Sequence, residues 1–310
     1  MDRRIAHRAL EFHADLHCIG GGQGGAIVNL SSMAAKLGGP GEYVDYAAWY
    51  EQALTSAAFA PKADFWRTYL RNAPQVSSLK PDYQRPASAS HAGNSVQLAL
   101  SPVLSKAIAG LAREYDASLF TLLLSSFFLF FHQASGADDV VIGTDVAGRG
   151  HPDLEQLLGF FVNVVPVRSR LGDPQVDFQQ WLAKTRREAL AAMDHQDLPF
   201  DQIVELSGAQ RARDRNPLVQ VLFVLQNTPE IRFSIEGAEV EVLPQQMNES
   251  KFDLAVFARE QAGALSFEWV YATDLYRRET VEKFTASWHA LLGRIVATPG
   301  WAVNARSEER

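Results

Sequence analysis

Cysteine is almost missing from this sequence: Cys18 is the only one in 310 residues. One thiol closes no internal disulfide and builds no cysteine-based zinc site, and it suits a reducing, cytoplasmic compartment. A basic excess is missing too. The chain has 29 Lys and Arg against 36 Asp and Glu, a formal net charge of -7. Sequence-independent nucleic-acid binding needs clustered cations against phosphate, so no nucleic-acid partner is expected. The greasiest stretch, Leu119–Phe131, is 13 residues long. A membrane span needs about 20, so this run reads as a buried helix and no membrane partner is expected. His and carboxylates do not cluster at ligand spacing, which leaves no metal constellation. Met1–Ala14 carries charges throughout and so is no secretory signal. No period of 20–50 residues marks a repeat fold.

What is present is enough apolar residue for a sizeable core, 47% of the chain. Residues 1–42 pass from an Arg/His-rich start through Gly20–Gly25 to the apolar run Ala26–Leu30. Residues 43–100 are helical at first, then loop-like around Pro74–Ala92. Residues 101–300 alternate helix and strand. Leu104, Ile108, Leu111 and Tyr115 fall at helical spacing. Ser118 could cap the next helix, which runs to about Gln133 and is apolar nearly all round. Val140–Val146 and Val162–Val167 are β-branched runs and predict buried strands, as does Leu218–Leu225. Phe178–His195 predicts a long amphipathic helix. Phe252–Arg259 and Ala264–Tyr271 predict a hairpin across Glu260–Gly263, and Thr280–Thr298 a closing helix stopped by Pro299 and Gly300. The expected fold class is α/β, a two-layer sandwich with a mixed β-sheet.

Gly20, Gly22 and Gly25 satisfy G-x-G-x-x-G. A dinucleotide site needs that motif after a strand and before a helix, where helix N–H groups meet the pyrophosphate. Here it precedes the strand-like Ala26–Leu30, which favours a flexible turn. The wider stretch Gly22–Ala48 resembles the catalytic strand and helix start of short-chain dehydrogenase/reductases. By position, Ser32 matches that family's carbonyl-polarising Ser and Tyr46 its proton-donating Tyr. The Lys that lowers the Tyr pKa in that family is Tyr50 here. The cofactor-holding strands would lie upstream, where only residues 1–21 stand. Residues 1–42 are therefore expected to be a partly disordered remnant of that family, and a reductase fragment is the weakest functional reading.

From Tyr43 onward a second resemblance takes over. Tyr43-Val-Asp-Tyr-Ala-Ala-Trp49 is followed by Phe65-Trp66 and by Leu79–Pro86 with Asp82, Arg85 and Pro86. Next come Val141-Ile-Gly-Thr-Asp-Val-Ala-Gly-Arg149 and Leu158-Gly-Phe-Phe-Val-Asn-Val-Val-Pro-Val-Arg168. His195-Gln-Asp-Leu-Pro-Phe-Asp201, Arg213-Asp-Arg-Asn-Pro-Leu218 and Lys251-Phe-Asp-Leu254 complete the series. These motifs, in this order, resemble the condensation domains of nonribosomal peptide synthetases. The resemblance implies residues 43–300 as the C-terminal lobe of such a domain, chloramphenicol-acetyltransferase-like in fold, with 301–310 as a tail. It implies the class of activity that forms amide bonds between carrier-bound acyl and aminoacyl thioesters. The substrates would ride on the phosphopantetheine of partner carrier domains, and no cofactor of the chain's own is implied. Further partners would be an adenylation domain and the N-terminal lobe, which holds the family's H-H-x-x-x-D-G motif. This chain has no His-His pair, and none of its eight histidines is followed by that Asp and Gly. Inactivity alone is the expectation, and a carrier- or lobe-docking module is the alternative. Residues 43–47 fit both families, which is where two unrelated stretches would join.

Single residues carry paired readings. The resemblance implies that Arg168 pairs with the motif Asp near the substrate tunnel; the plain alternative is a surface arginine. Asn163 lines the same region or is a buried core asparagine. His195 reads as a structural residue that hydrogen-bonds a loop. Asp197 and Asp201 read as helix caps, Asp138 and Asp139 as a solvated turn, and Pro217 as the start of a strand.

Overall fold

The computed structural model describes residues 43–150, 154, 159–172, 176–226 and 248–303. The Gly20–Gly25 loop, Ser32 and the tail after Val303 lie outside them. In chain order the elements begin with α1 (Tyr43–Leu54), α2 (Ala60–Tyr69), β1 (Gly93–Ala99), α3 (Pro102–Glu114), α4 (Leu119–Ser135) and β2 (Asp139–Val146). They continue with β3 (Asn163–Arg170), α5 (Phe178–Met193), α6 (Phe200–Ser207), β4 (Val221–Gln226), β5 (Leu254–Gln261), β6 (Ala264–Ala272) and α7 (Arg278–Ala297). The chain divides into two units. One ends at Asp64 and takes in Val146–Asn163; the other holds Phe65–Asp145 and everything from Val164 onward.

The larger unit is built on one six-stranded sheet in the order β1-β6-β5-β4-β2-β3. β4 pairs in parallel with both β2 and β5, while β6 is antiparallel to both β5 and β1. The class is therefore α/β with an open mixed sheet, as the alternation of elements predicts. Pro166 sits inside β3, which is tolerated because β3 is an edge strand.

Helix α4 explains the core. Ser118 caps it by accepting the Thr121 N–H at 3.1 Å, and Gly136 ends it at φ 70. Every residue from Thr121 to His132 is buried. A helix apolar on all sides needs neighbours on all sides. The sheet, α5 and α7 supply them through aromatic rings. Phe127 meets Phe223 at 5.1 Å, Trp269 at 5.7 Å and Trp288 at 5.8 Å, and Phe267 meets Trp288 edge-on at 4.7 Å. Two of the buried ring N–H groups find acceptors on the same helix, Trp181 donating to the Ser125 carbonyl and Trp288 to Ser126 Oγ, whereas Trp269 Nε1 has no acceptor among the described residues. Trp66, Trp181, Trp269 and Trp288 are all at most 1% exposed, whereas Trp49 in the smaller unit is 59% exposed. Among the described residues no single helix is long and apolar enough to cross a membrane.

The other face of the sheet carries a second, shallower cluster. Leu222, Ala255 and Val270 are buried there, with Val164, Val224, Phe252 and Phe257 packed partly against them. Loops are tied down by ionic groups. Arg85 Nη1 donates to Asp253 Oδ1 at 2.8 Å, Nη2 donates to Oδ2, and Ser78 Oγ donates to the same carboxylate at 2.9 Å. Asp82 accepts from the Arg277 N–H and from Thr280 Oγ1, and so caps α7, whose own N-cap Arg277 makes no side-chain cap bond.

One local expectation needs correction, and two elements are added to those expected. Pro217 does not begin a strand. Leu218 follows it in the left-handed region at φ 64, and β4 starts only at Val221. The stretch 93–99 is a strand with Val96 as its one buried residue, an alternation too weak to read. The short helix α6 was hidden behind Pro199, which serves as its N-cap.

Candidate functional site

Arg168 is 4% exposed, so the surface reading is wrong. Its five N–H donors meet five acceptors. Nε donates to Asp139 Oδ1 at 2.9 Å and Nη2 to Asp139 Oδ2 at 2.6 Å. Nη1 donates to the Tyr69 and Arg71 carbonyls, both at 2.9 Å, and Nη2 to the Asn72 carbonyl at 3.0 Å. A guanidinium has no further donor to offer. Arg168 thus clasps the end of α2 to the sheet edge. Asp139, read as a solvated turn, is its ion-pair partner. Tyr69 completes the clasp: its Oη accepts the Arg168 backbone N–H at 2.8 Å, and burial pushes its phenol pKa upward.

His195 sits just past α5 and stacks flat on Phe65, with ring centroids 3.8 Å apart. Its Nδ1 lies 2.8 Å from the Ala191 carbonyl, an acceptor, so Nδ1 carries the proton. Trp66 Nε1 donates to the His195 carbonyl at 3.0 Å. The ring of His195 thus bonds the helix it follows, at Ala191 of α5, and not a loop. Asp201 does not take the N-cap of α6, which Pro199 holds; it lies in the first turn, where the helix dipole favours a carboxylate. Asn163 opens β3 and is half-buried, not a fully buried core residue.

The smaller unit assembles the Tyr43 motif. Tyr43 Oη donates to the Phe160 carbonyl at 2.8 Å, and its ring meets Phe161 edge-on at 5.1 Å. Tyr46 lies 4.9 Å from Phe161 and stacks on Tyr50 at 5.4 Å. Arg149 covers the Phe161 ring at 4.3 Å. Gly148 is obligatory here: its φ is +64, and a Cβ would meet the Phe161 carbonyl oxygen at 1.9 Å. Tyr46 thus belongs to a packed aromatic row. Tyr46→Phe keeps every ring contact, so unfolding free energy is expected to change by less than about 1 kcal/mol. Nicotinamide-dependent reduction lost in that variant would overturn this assignment.

The residue that reading the sequence missed is Asp145. It stands at the end of β2, half-buried, and burial holds its carboxyl up at about 6 from the usual 3.8. Lys251 is the charged group that acts on it. The available signal was a carboxylate inside the apolar run Val140–Val146. No group of His, Cys, Asp and Glu among the described residues could hold a metal.

Comparison with known proteins agrees with this architecture. The family model described as "Condensation domain" matches residues 32–306. Malpinin synthetase of Mortierella alpina is 37% identical over 252 residues, 81% of this chain and 3% of that protein. Tyrocidine synthase 3 of Brevibacillus parabrevis is 32% identical over 261 residues, 84% of this chain and 4% of that protein. Among solved structures, holo-AB3403, a four-domain nonribosomal peptide synthetase bound to AMP and glycine, gives a TM-score of 0.77. It is 26% identical over 84% of this chain and 21% of its own. The condensation domain from the monacolin K polyketide synthase MokA gives 0.72 at 20% identity, over 84% of this chain and 62% of its own, a likeness of fold alone. The chain thus spans only a small fraction of the length of the two synthetases it matches. The ordered motifs, the open mixed sheet and these relatives agree, and this chain belongs to the condensation-domain family of nonribosomal peptide synthetases.

Proposed function

We propose that residues 43–300 act as the C-terminal lobe of a condensation domain and form no amide bond without a lobe that carries H-H-x-x-x-D-G. The observation that carries this reading is the absence of any His-His pair in a chain that holds the later motifs in order. The reaction joins two thioesters held on the phosphopantetheine arms of partner carrier domains. The acceptor amine attacks the donor carbonyl, a C–N bond forms, the C–S bond breaks, and the donor thiol leaves as the amine gives up its proton. Among the described residues of this chain, none is placed as a histidine base for that proton. An adenylation domain upstream in the reaction sequence would load the carriers.

The test is amide formation between loaded donor and acceptor carriers. The purified chain is expected to stay at the uncatalysed background. Adding a separately expressed lobe with the histidine motif is expected to raise the rate, since general-base assistance is worth about 10²–10⁴-fold. Turnover by the chain alone overturns the proposal. Carrier binding without any rescue by the second lobe would favour the non-catalytic docking module instead.

A further inference from the structure

Asp145 is a carboxylate on an apolar sheet face. The direction a side chain would take at Gly143 leads to Val219 at 2.6 Å, Val164 at 3.0 Å and Leu222 at 3.1 Å, all side-chain atoms. That is the face of Leu222, Ala255 and Val270, away from the core helix α4. Side chains alternate along a strand, so Asp145 shares the face of Gly143. Gly143 pairs in parallel with Leu222, and two residues further along the two strands come Asp145 and Val224. No hydrogen bond reaches the Asp145 carboxylate among the described residues, and Lys251, itself partly desolvated beside Glu249, is the charged group that acts on it. A carboxylate left in that state is a candidate for a ligand contact, because no described residue hydrogen-bonds it.

Its position points the same way. From β2 the chain goes to β3 on one side, then returns to place β4 on the other side of β2. In open α/β sheets, ligands settle at such a switch point, outside the carboxyl ends of the strands. β2 and β4 are parallel, and Asp145 lies at the carboxyl end of β2. What fits a half-buried, unbonded carboxylate is a cation with N–H donors. In the condensation reaction the group of that chemistry is the amino group of the acceptor. We propose that Asp145 binds the acceptor aminoacyl chain through its ammonium group, which passes one proton to the Asp145 carboxylate and so stands as the neutral amine positioned for attack; this rests on the condensation reading above.

The test needs neither a second lobe nor turnover. Wild type, Asp145→Asn and Asp145→Glu chains are titrated by NMR with alanyl-aminopantetheine, in which an amide replaces the thioester, and with its N-acetyl form. One charge-assisted hydrogen bond is worth about a factor of ten. Wild type is expected to bind the free amine about tenfold better than the acetylated probe at pH 7.5. That preference is expected to collapse at pH 5, where the carboxyl is protonated. Asp145→Asn is expected to show no preference at either pH, and Asp145→Glu to keep part of it. The proposal is overturned if wild type binds neither probe, if it binds both alike, or if Asp145→Asn retains the preference. Since amide formation by the reconstituted lobes is read separately, a null result here removes Asp145 from the site and leaves the condensation reading standing.

Discussion

Replacing Arg168 with Met is expected to lower the unfolding free energy by about 3–5 kcal/mol, the range for breaking a buried ion pair from one side. Two losses add up. Asp139 keeps its charge with only the more distant, exposed Arg170 Nε at 3.6 Å, and the carbonyls of Tyr69, Arg71 and Asn72 lose their donor together. Asp139 is 31% exposed, so water compensates part of the first loss. Tyr69 ends α2 and is half-buried, while Arg71 and Asn72 just beyond it are exposed, so water relieves part of this loss too; an unpaired buried group is worth about 1–3 kcal/mol. The double variant Arg168→Met with Asp139→Asn should recover the charge component and leave the carbonyl component. Urea unfolding followed by tryptophan fluorescence measures both. A loss under about 1 kcal/mol in the single variant would show that the clasp is dispensable.

Asp145→Asn is expected to act in the opposite direction and stabilise the protein near neutral pH. The folded-state pKa of about 6 lies above the ordinary 3.8. An acid shifted upward favours folding most when protonated, so its contribution is complete below about pH 3.8 and is lost as pH rises through about 6. At pH 7.5 the ionised carboxylate therefore works against the fold. The displacement corresponds to about 3 kcal/mol, and partial exposure reduces this to about 2 kcal/mol. The variant should exceed wild type by that amount at pH 7.5 and match it near pH 3.8. Denaturant titrations at the two values decide the matter. A variant that is less stable at pH 7.5, or one whose gain is the same at both, would sink the idea. A residue whose removal stabilises a protein is kept for something other than stability. This is why the result bears on the acceptor-binding role.

The elements that the sequence reveals are those with strong periodicity or dense β-branching. α4 is legible because thirteen apolar-rich residues stand together between Ser118 and the turn at Gly136. The hairpin of β5 and β6 is legible because Gly263 interrupts two alternating runs. β1 is not, since its residues are satisfied by pairing with β6, a partner far away in the chain. Arg168 shows the same limit for the site. Its motif marks it as special, yet its acceptors are backbone carbonyls of residues 69, 71 and 72, which carry no side-chain signature. Asp145 escapes notice because one acid at the end of a strand reads as the start of a loop. Only its place on the apolar face, opposite the helices, sets it apart.

The distribution of indoles gives the two units separate optical identities. Of the six tryptophans, Trp49 is the one in the smaller unit, and it is 59% exposed. Trp66, Trp181, Trp269 and Trp288 lie in the dry interior of the larger unit. Emission from the larger unit is therefore weighted to the blue and shielded from acrylamide, whereas Trp49 emits to the red and is open to collisional quenching. Subtracting the spectrum of a Trp49→Phe chain isolates the smaller unit. Its melting can thus be followed independently of the larger one, within a single unlabelled polypeptide.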